Sequence, residues 1–336
     1  MRSWWACLLL ALLSSCSDEA APAPAASAPY PLDGELRLNH LQAKGTHNSY
    51  HLETEGTSIK EHQYSHQPLE VQLAEQGVRA FELDTRYDAK VAAFRVYHLG
   101  FVDERTTCET LVACLSALAS WSRANPRHHP LLVQIEPKDS VPSDDPEGYF
   151  SRMEAEILSV WPREKVITPD DVKGAAATLR EAVTTAGWPT LGASRGKILF
   201  FINDSGDFQR RYTRERSSLD GRLMFTEASA DDPFAAVLIL NDPQKNQEAI
   251  QAAVKAGFLV RTRADADVEA SKRNETAQRE AALASGAQIL STDFPALVPG
   301  VAYAVDIPGG TPSRCNPLIA PANCTSGDIE APERLR

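Results

Sequence analysis

The sequence predicts an α/β fold, a single (β/α)8 barrel of the TIM type that ends in a disulfide-stapled C-terminal tail. The chain has 336 residues, of which 43% are hydrophobic and 24% charged, so it can bury the core of one barrel of roughly 250 residues. From residue 38 onward, short apolar segments rich in branched or aromatic residues alternate with longer segments of helical period. No G-x-G-x-x-G motif follows the first predicted strand, which argues against a dinucleotide-binding sheet.

Eight short apolar segments are predicted to form the strands of the barrel. They cover residues 41–44, 78–84, 94–98, 131–136, 198–203, 223–227, 258–261 and 288–291. Residues 237–240 are a further candidate, so the count of eight is open by one. Eight strands within about 250 residues favour a closed barrel over an open sheet.

Five longer segments carry apolar residues three and four positions apart, which is typical of helices that pack one face on a sheet. They cover residues 107–123, 149–160, 171–186, 244–256 and 268–284. The barrel is therefore expected to occupy residues 33–305, and residues 306–336 form a Pro-rich tail without periodicity.

The amino terminus has the composition of an export signal. Residues 1–15 combine Arg2 with an apolar run too short for a membrane span of about 20 residues. The LSSC sequence at 13–16 resembles the lipobox of bacterial lipoproteins, in which Cys16 becomes the lipidated amino terminus and residues 16–32, rich in Ala and Pro, form a tether. We expect an exported bacterial lipoprotein held on a membrane surface. An ordinary secretory signal, which would give a secreted protein, is the alternative.

Four cysteines follow this segment, and they are expected to form disulfides. An even number of cysteines in an exported chain favours disulfides, and the close spacings favour Cys108 with Cys114 and Cys315 with Cys324. Neither pair has the spacing of a zinc site, and three connectivities are formally possible.

The charge balance narrows the class of partner. The chain carries 34 basic and 45 acidic side chains, which gives a net charge of -11. A nucleic-acid binder that relies on a basic face is therefore excluded as a first interpretation. A monomer is expected.

Polar and ionisable residues stand at the ends of the first four predicted strands, where barrel enzymes hold their active sites. Side chains of a strand alternate between its two faces, so Glu82 and Asp84 share a face, as do Glu136 and Lys138. Three converging carboxylates with the Asn48 oxygen form an all-oxygen set that suits a hard cation such as Ca²⁺ or Mg²⁺. Zinc would favour the histidines instead.

These strand ends resemble the calcium-dependent, phosphatidylinositol-specific phospholipase C group, within the phospholipase C-like phosphodiesterase barrels. The motifs are GTHNSYH at 45–51, FELDTR at 81–86, VYH at 96–98, IEPKD at 135–139, VRTRAD at 260–265 and ILSTDFP at 289–295. Their order along residues 38–324 makes the resemblance specific. It implies that His47 and His98 are the catalytic pair and that the calcium ligands are Asn48, Glu82, Asp84 and Glu136.

The resemblance implies a calcium-dependent cleavage of phosphatidylinositol-type lipids between diacylglycerol and the inositol phosphate. The neighbouring inositol hydroxyl would attack phosphorus and give a cyclic phosphate. His98 is assigned as general acid, and His47 as base or transition-state stabiliser, with Glu136 as an alternative base. A glycerophosphodiester phosphodiesterase is an alternative function, although HNSY stands where that family has an HRG-like sequence. A lipid-binding lipoprotein without turnover is another.

Three cations are candidates for binding the substrate phosphate: Lys138, Arg261 and Arg263. Each has a structural alternative. Lys138 could form a simple salt bridge with Glu136, and structural ion pairing is the alternative to phosphate binding for the two arginines.

The remaining histidines are further candidates for metal binding. His51 lies four residues after His47, and His62 and His66 repeat this interval of helical zinc pairs, but the sequence lacks the context of a zinc site. His128 and His129 precede the fourth predicted strand, at the rim opposite the active site, and are expected to be structural.

Overall fold

The computed structural model describes Met1, residues 30–309 and residues 312–336. The predicted signal peptide at 1–15, the lipidation site Cys16 and the predicted tether up to residue 29 lie outside the described residues. Tyr30, near the end of that tether, is already fully buried, and its hydroxyl donates to the Ala331 carbonyl. Within the described part of the chain, no helix is long and apolar enough to span a membrane.

The described residues contain eleven strands. They are β1 Leu41–Thr46, β2 Ala80–Asp88, β3 Ala93–Val96, β4 Leu131–Pro137, β5 Val166–Ile167, β6 Ile198–Ile202, β7 Phe225–Thr226, β8 Val237–Ile239, β9 Leu259–Arg263, β10 Ile289–Thr292 and β11 Ser313–Cys315.

Eight of these strands are parallel and form the predicted barrel. The order around the ring is β1, β2, β4, β6, β7, β8, β9 and β10. Strand β10 pairs back with β1, and a parallel bridge between Glu227 and Val237 joins β7 to β8 and completes the ring. The fold class predicted from the sequence is confirmed.

The predicted third barrel strand, residues 94–98, is wrong. Strand β3 pairs antiparallel with β2, with Thr85 opposite Val96 and Asp88 opposite Ala93. A parallel connection needs a crossover of a dozen or more residues, and the link from β2 to β3 is far too short for one. The strand that takes its place among the eight of the ring is β8, which lies in the candidate segment 237–240. Strand β5 was not predicted, and it pairs beside the start of β6.

Eleven α-helices lie in the described residues, and three predicted ones keep nearly their predicted bounds. The helices are α1 Leu69–Ala74, α2 Leu111–Ala124, α3 Pro146–Val160, α4 Pro169–Lys173, α5 Leu179–Thr185, α6 Leu191–Ser194, α7 Asp207–Tyr212, α8 Gln247–Ala256, α9 Val268–Lys272, α10 Ala277–Ser285 and α11 Ser326–Ile329.

Two predicted helices are each split in two. The segment 171–186 becomes α4 and α5, separated after Gly174, whose φ is +52°. The segment 268–284 becomes α9 and α10, separated at Asn274, whose φ is +59°. Left-handed backbone cannot continue an α-helix, so the apolar spacing continues across each break while the helix does not.

The core lies inside the barrel and between the barrel and its helices. All five residues of β6 are buried, as expected for a parallel strand covered on both faces. Gly45 in β1 lies so close to β2 that a Cβ atom there would stand 2.9 Å from the Cβ of Ala80. This close approach of β1 and β2 brings the two strand ends that carry the candidate site side by side.

The C-terminal tail packs on the amino-terminal side of the barrel strands. Strand β11 pairs antiparallel with β1, and both predicted disulfides, Cys108–Cys114 and Cys315–Cys324, are formed. The buried Glu330 carboxylate accepts hydrogen bonds from Arg79.

His128 and His129 lie at this end, as predicted, and are fully buried. The His129 backbone nitrogen donates to the Glu330 carboxylate, and its ring bonds to Ser313. Their contacts are those of structural residues that hold the tail.

Candidate active site

Three carboxylates converge at the carboxyl end of the barrel. Glu82 and Asp84 come from β2 and Glu136 comes from β4, where it pairs in register with Asp84. One oxygen from each of the three lies within 4.8 Å of the others. Alternation along β2 places Glu82 and Asp84 on the same face, so the sequence pattern is what brings them together.

Burial makes the charge of this cluster costly. Burial raises the pKa of Glu82 to about 7, with Arg261 opposing the shift and Glu136 adding to it. Burial and the repulsion of Glu136 raise the pKa of Asp84 well above its usual range. Such shifts are typical of carboxylates that are held together for a cation or a proton.

The oxygens of Asp84 make no hydrogen bond of acceptable geometry within the described residues. Asp84 is fully buried, and neither of its carboxylate oxygens accepts a hydrogen bond within the described residues. The nearest positive charge is the Lys138 ammonium, 3.2 Å from Oδ2. A buried carboxylate without hydrogen bonds is unfavourable unless a cation offsets it, so this part of the cluster fits a calcium ligand.

Lys138 and Arg261 neutralise part of the cluster. Lys138 contacts Glu136, whose other oxygen accepts a hydrogen bond of 2.7 Å from Asn203. Arg261 donates to Glu82 at 2.5 Å and to Ser291 at 2.9 Å. The ion pairing weighed from the sequence is therefore present for both cations.

Asn48, the fourth predicted ligand, directly follows β1 and His47. It is buried with a left-handed φ of +43°, and its amide nitrogen donates to Tyr64 at 3.3 Å. Asn tolerates this backbone better than most residues. The amide nitrogen is already used, so the oxygen is the atom that Asn48 would offer to a cation.

Ser49 fixes the loop that carries His47 and Asn48. The Ser49 hydroxyl accepts from the Glu82 backbone nitrogen at 2.8 Å, and the Ser49 nitrogen donates to the Glu82 carbonyl at 3.0 Å. Gln72 on α1 donates to the Ser49 carbonyl. This loop is thus tied to the strand that holds the carboxylates.

His47 is oriented by Asp293, a carboxylate for which the sequence predicts no role. Its Nδ1 lies 2.8 Å from Asp293 Oδ1, and its Nε2 lies 3.9 Å from Glu82 Oε1. Burial and the Arg263 charge lower the pKa of His47 to about 3, although Asp293 opposes them. The ring is therefore neutral, with Nδ1–H donating to Asp293 and Nε2 turned toward the carboxylate cluster.

Asp293 is itself held by Arg263, which lies 2.9 Å from Oδ2. Burial raises the pKa of Asp293, but the charges of Arg263 and His47 outweigh burial and lower this pKa below its usual range. Arg263 is thereby held against the carboxylate that orients His47. The motif ILSTDFP contains Asp293, but only its position after β10 shows that it reaches His47, 246 residues away.

His98 lies in the loop after β3, not at the end of a barrel strand. Arg86 of β2 donates to the carbonyls of Tyr97 and His98, which fixes the loop against the barrel. The His98 Nδ1 lies 2.9 Å from Asp103 Oδ2, so this histidine is also oriented by a carboxylate. About 19% of its side chain and 24% of that of His47 remain accessible, so substrate can reach both rings.

A row of rings links the two predicted catalytic histidines. His47 stacks near Tyr64, with ring centroids 6.5 Å apart, and Tyr64 lies 4.5 Å from His51. His51 is in turn 6.1 Å from His98. The structure thus connects the two histidines through Tyr64 and His51, although β3 is not a barrel strand.

Comparisons with known proteins agree with this architecture. The family described as phosphoinositide phospholipase C, Ca²⁺-dependent, matches residues 36–95 and 85–317. Comparison by sequence with curated proteins finds no match.

Solved structures share the fold. A calcium-dependent phosphoinositol-specific phospholipase C from Pseudomonas sp. is 18% identical over 85% of this chain and 97% of that chain, with a TM-score of 0.61. A Ca²⁺-dependent phosphatidylinositol-specific phospholipase C from Streptomyces antibioticus is 19% identical over 77% and 95%, with a TM-score of 0.56. A variant of the phosphatidylinositol-specific phospholipase C from Staphylococcus aureus is 14% identical over 80% and 90%, with a TM-score of 0.53.

The family match covers most of the chain, and the three carboxylates predicted from the sequence converge at one end of the barrel, with His47 3.9 Å from Glu82. The chain therefore belongs to the calcium-dependent phosphoinositide phospholipase C family and is a calcium-dependent phosphoric diester hydrolase.

Proposed function

We propose that the protein cleaves phosphatidylinositol-type lipids between diacylglycerol and the inositol phosphate, and that the first product is a cyclic inositol phosphate. One observation carries this proposal. Two accessible histidines each have Nδ1 held by a buried carboxylate, and one of them, His47, has Nε2 3.9 Å from Glu82 in the cluster of three carboxylates. Two such histidines can act as a general base, which takes a proton from the nucleophile, and a general acid, which gives a proton to the leaving group.

The metal ligands would be Glu82, Asp84, Glu136 and Asn48. When bound, calcium would offset the charge that develops on the phosphate and lower the pKa of the attacking hydroxyl. The donor set fits this role because it offers only oxygens, one pair of them without hydrogen bonds.

His47 is the candidate general base. It is neutral, and Asp293 fixes the tautomer that leaves Nε2 free to accept the proton of the inositol hydroxyl. Glu136 remains the alternative base, but its two oxygens are engaged by Lys138 and Asn203. This engagement favours His47.

His98 is the candidate general acid. Asp103 accepts from Nδ1 and stabilises the imidazolium, so Nε2–H can pass its proton to the leaving diacylglycerol oxygen. Attack by the neighbouring hydroxyl needs no water, which accounts for a cyclic first product.

The three predicted phosphate-binding cations differ in their freedom. All three are paired with acids, but the side chain of Lys138 is 24% accessible, whereas those of Arg261 and Arg263 are 3% and 11% accessible. Lys138 is therefore the best candidate for contacting substrate phosphate. The arginines are better placed to hold Glu82 and Asp293.

The test is calcium-dependent release of water-soluble inositol phosphate from vesicles of labelled phosphatidylinositol. We expect release with calcium, none with chelator, and a cyclic phosphate at early times by phosphorus NMR. Hydrolysis of glycerophosphoinositol with the intact lipid left uncleaved would favour the glycerophosphodiesterase alternative. Lipid binding without any release would favour the binding lipoprotein.

For localisation we propose an exported lipoprotein with lipidated Cys16, anchored to a membrane by the segment before Tyr30. The support is the LSSC sequence and the Ala/Pro-rich segment that follows it. Mass spectrometry of the mature amino terminus is the test. Lipidated Cys16 is expected, and an unmodified terminus elsewhere would favour simple secretion.

A further inference from the structure

A second cluster of metal-binding side chains surrounds Asp103. Three ring nitrogens approach its Oδ2: His51 Nε2 at 2.9 Å, His98 Nδ1 at 2.9 Å and His62 Nδ1 at 3.1 Å. The three histidines come from separate segments, the loop after β1, a short 3-10 helix at Lys60–His62 and the loop after β3. Asp103, His51 and His62 are buried.

Hydrogen bonding alone does not satisfy this cluster. A carboxylate oxygen has two lone pairs, so Oδ2 cannot accept well from three ring N–H groups, although His51 Nε2 also lies 3.1 Å from Oδ1 and can be shared between the two oxygens. His62 Nδ1 is buried, points at Oδ2 and makes no hydrogen bond of acceptable geometry within the described residues. His51 Nδ1 is likewise buried without a partner there, so His51 has one ring nitrogen to spare. A cation placed among the inward nitrogens would relieve the crowding of N–H groups at Oδ2 and give His62 Nδ1 a partner, while the spare nitrogen of His51 would carry the proton of that ring.

The ligand types differ from those of the calcium site. The first cluster offers only oxygens, which a hard cation prefers, whereas this one offers up to three imidazoles and one carboxylate. Tetrahedral zinc with bonds of about 2.0–2.1 Å separates its ligand atoms by roughly 3.3 Å. The observed separations from Oδ2 are only slightly shorter, and the ligand atoms of His51, His98 and Asp103 lie within 4.8 Å of one another.

We propose that His51, His98 and Asp103, together with His62, form a second metal site that binds Zn²⁺. The four-residue intervals between His47 and His51 and between His62 and His66 play no part in this site. His51 and His62 meet only through the tertiary fold. Coordination requires each bound nitrogen to be deprotonated, so its proton moves to the other ring nitrogen or is released to solvent.

Zinc at this site inhibits turnover, a consequence that rests on the proposed function. The general acid must pass from imidazolium to neutral imidazole, with Nδ1–H held by Asp103 throughout. Zinc on Nδ1 replaces that proton, so loss of the Nε2 proton would leave an imidazolate, which is a far poorer acid at neutral pH. The site therefore makes His98 a shared element of catalysis and of inhibition by zinc.

The experiment measures zinc binding by calorimetry on calcium-saturated protein, without lipid. Calcium keeps the carboxylate cluster occupied. The variants are His62→Gln, which removes a ligand, His62→Cys, which restores one, and His40→Gln, a matched loss of a histidine outside the cluster. We expect one zinc per protein, an affinity at least about tenfold weaker in His62→Gln, and affinity kept in the other two.

X-ray absorption on the wild-type zinc complex gives a readout that no variant can confound by misfolding. At least two imidazole ligands are expected, and an all-oxygen shell would overturn the proposal. Equal zinc affinity in wild type and folded His62→Gln would overturn it too. Because binding is measured without lipid, failure of the lipid-cleavage assay leaves this result standing. In an active enzyme, zinc inhibition should weaken in His62→Gln relative to that variant's own zinc-free rate.

Discussion

Asp84→Asn should change the stability of the protein in opposite directions with and without calcium. Asp84 lies within 4.8 Å of Glu82 and Glu136, and 3.2 Å from the Lys138 ammonium. At an effective dielectric constant of about 20, each repulsion costs about 3 kcal/mol or more, and the attraction to Lys138 returns about 5 kcal/mol. Removing the charge should therefore stabilise the calcium-free protein by about 1–2 kcal/mol.

Calcium reverses the sign. At a calcium concentration about 100-fold above the Kd, binding stabilises the folded wild type by about 2.7 kcal/mol. Asp84→Asn removes one ligand charge, and a Kd raised about 100-fold would leave only about 0.4 kcal/mol of that stabilisation. The variant should then be less stable than wild type in calcium, although it is more stable in chelator.

Urea unfolding in calcium and in chelator measures both effects. Glu156→Gln is the matched control, since burial also raises the pKa of Glu156 but it lies on α3 and accepts from the Phe94 nitrogen. The control should keep the full calcium effect. A calcium effect in Asp84→Asn equal to that of wild type would show that Asp84 is not a ligand. A variant equally destabilised in chelator and in calcium would refute the repulsion argument.

Three further predictions concern the histidines and the tail. His47→Ala and His98→Ala should each lower turnover at least about 10²-fold with unchanged circular dichroism, and near-native turnover in either folded variant would remove that histidine from the mechanism. Asp293→Asn should lower kcat with little change in KM, because it removes the acceptor 2.8 Å from His47; an unchanged kcat would mean that other contacts suffice. Although burial raises it, Arg79 and His129 lower the pKa of Glu330 from 4.5 to about 2. The stability that this carboxylate adds is present above pH 4.5 and lost as the pH falls toward 2. The free energies of unfolding of wild type and Glu330→Gln should therefore differ by about 3 kcal/mol at neutral pH and converge in acid. A difference independent of pH would contradict this reasoning.

Much of the barrel could be predicted because strand patterns are local. The apolar segments at 131–136 and 198–203 form β4 and β6 with nearly the predicted bounds. The error at 94–98 arose because apolar spacing shows that a segment is a strand but not which strand it pairs with. The short link after β2, which excludes a crossover, was the available signal. The helix breaks at Gly174 and Asn274 depend on single left-handed residues that periodicity does not detect.

The sequence by itself determined which oxygen-bearing residues are predicted as metal ligands. Glu82 and Asp84 share a face because side chains alternate along any strand, and Glu136 joins them because the carboxyl ends of parallel strands meet at one rim. Likewise, His47 and Asn48 were found because they directly follow a predicted strand. The first rule depends on near neighbours in the chain and the second on the predicted fold class, so neither needed the contacts of the packed molecule.

Only the tertiary structure decided what orients the histidines. Asp293 meets His47 across 246 residues, and Asp103 gathers His51, His62 and His98 from three loops. Loop conformation depends on what the loop packs against, and no local period announces which carboxylate will reach which ring. The orientation of the two predicted catalytic histidines, and the cluster proposed as a second metal site, are therefore properties of the folded chain, because they arise from contacts between segments far apart in the sequence.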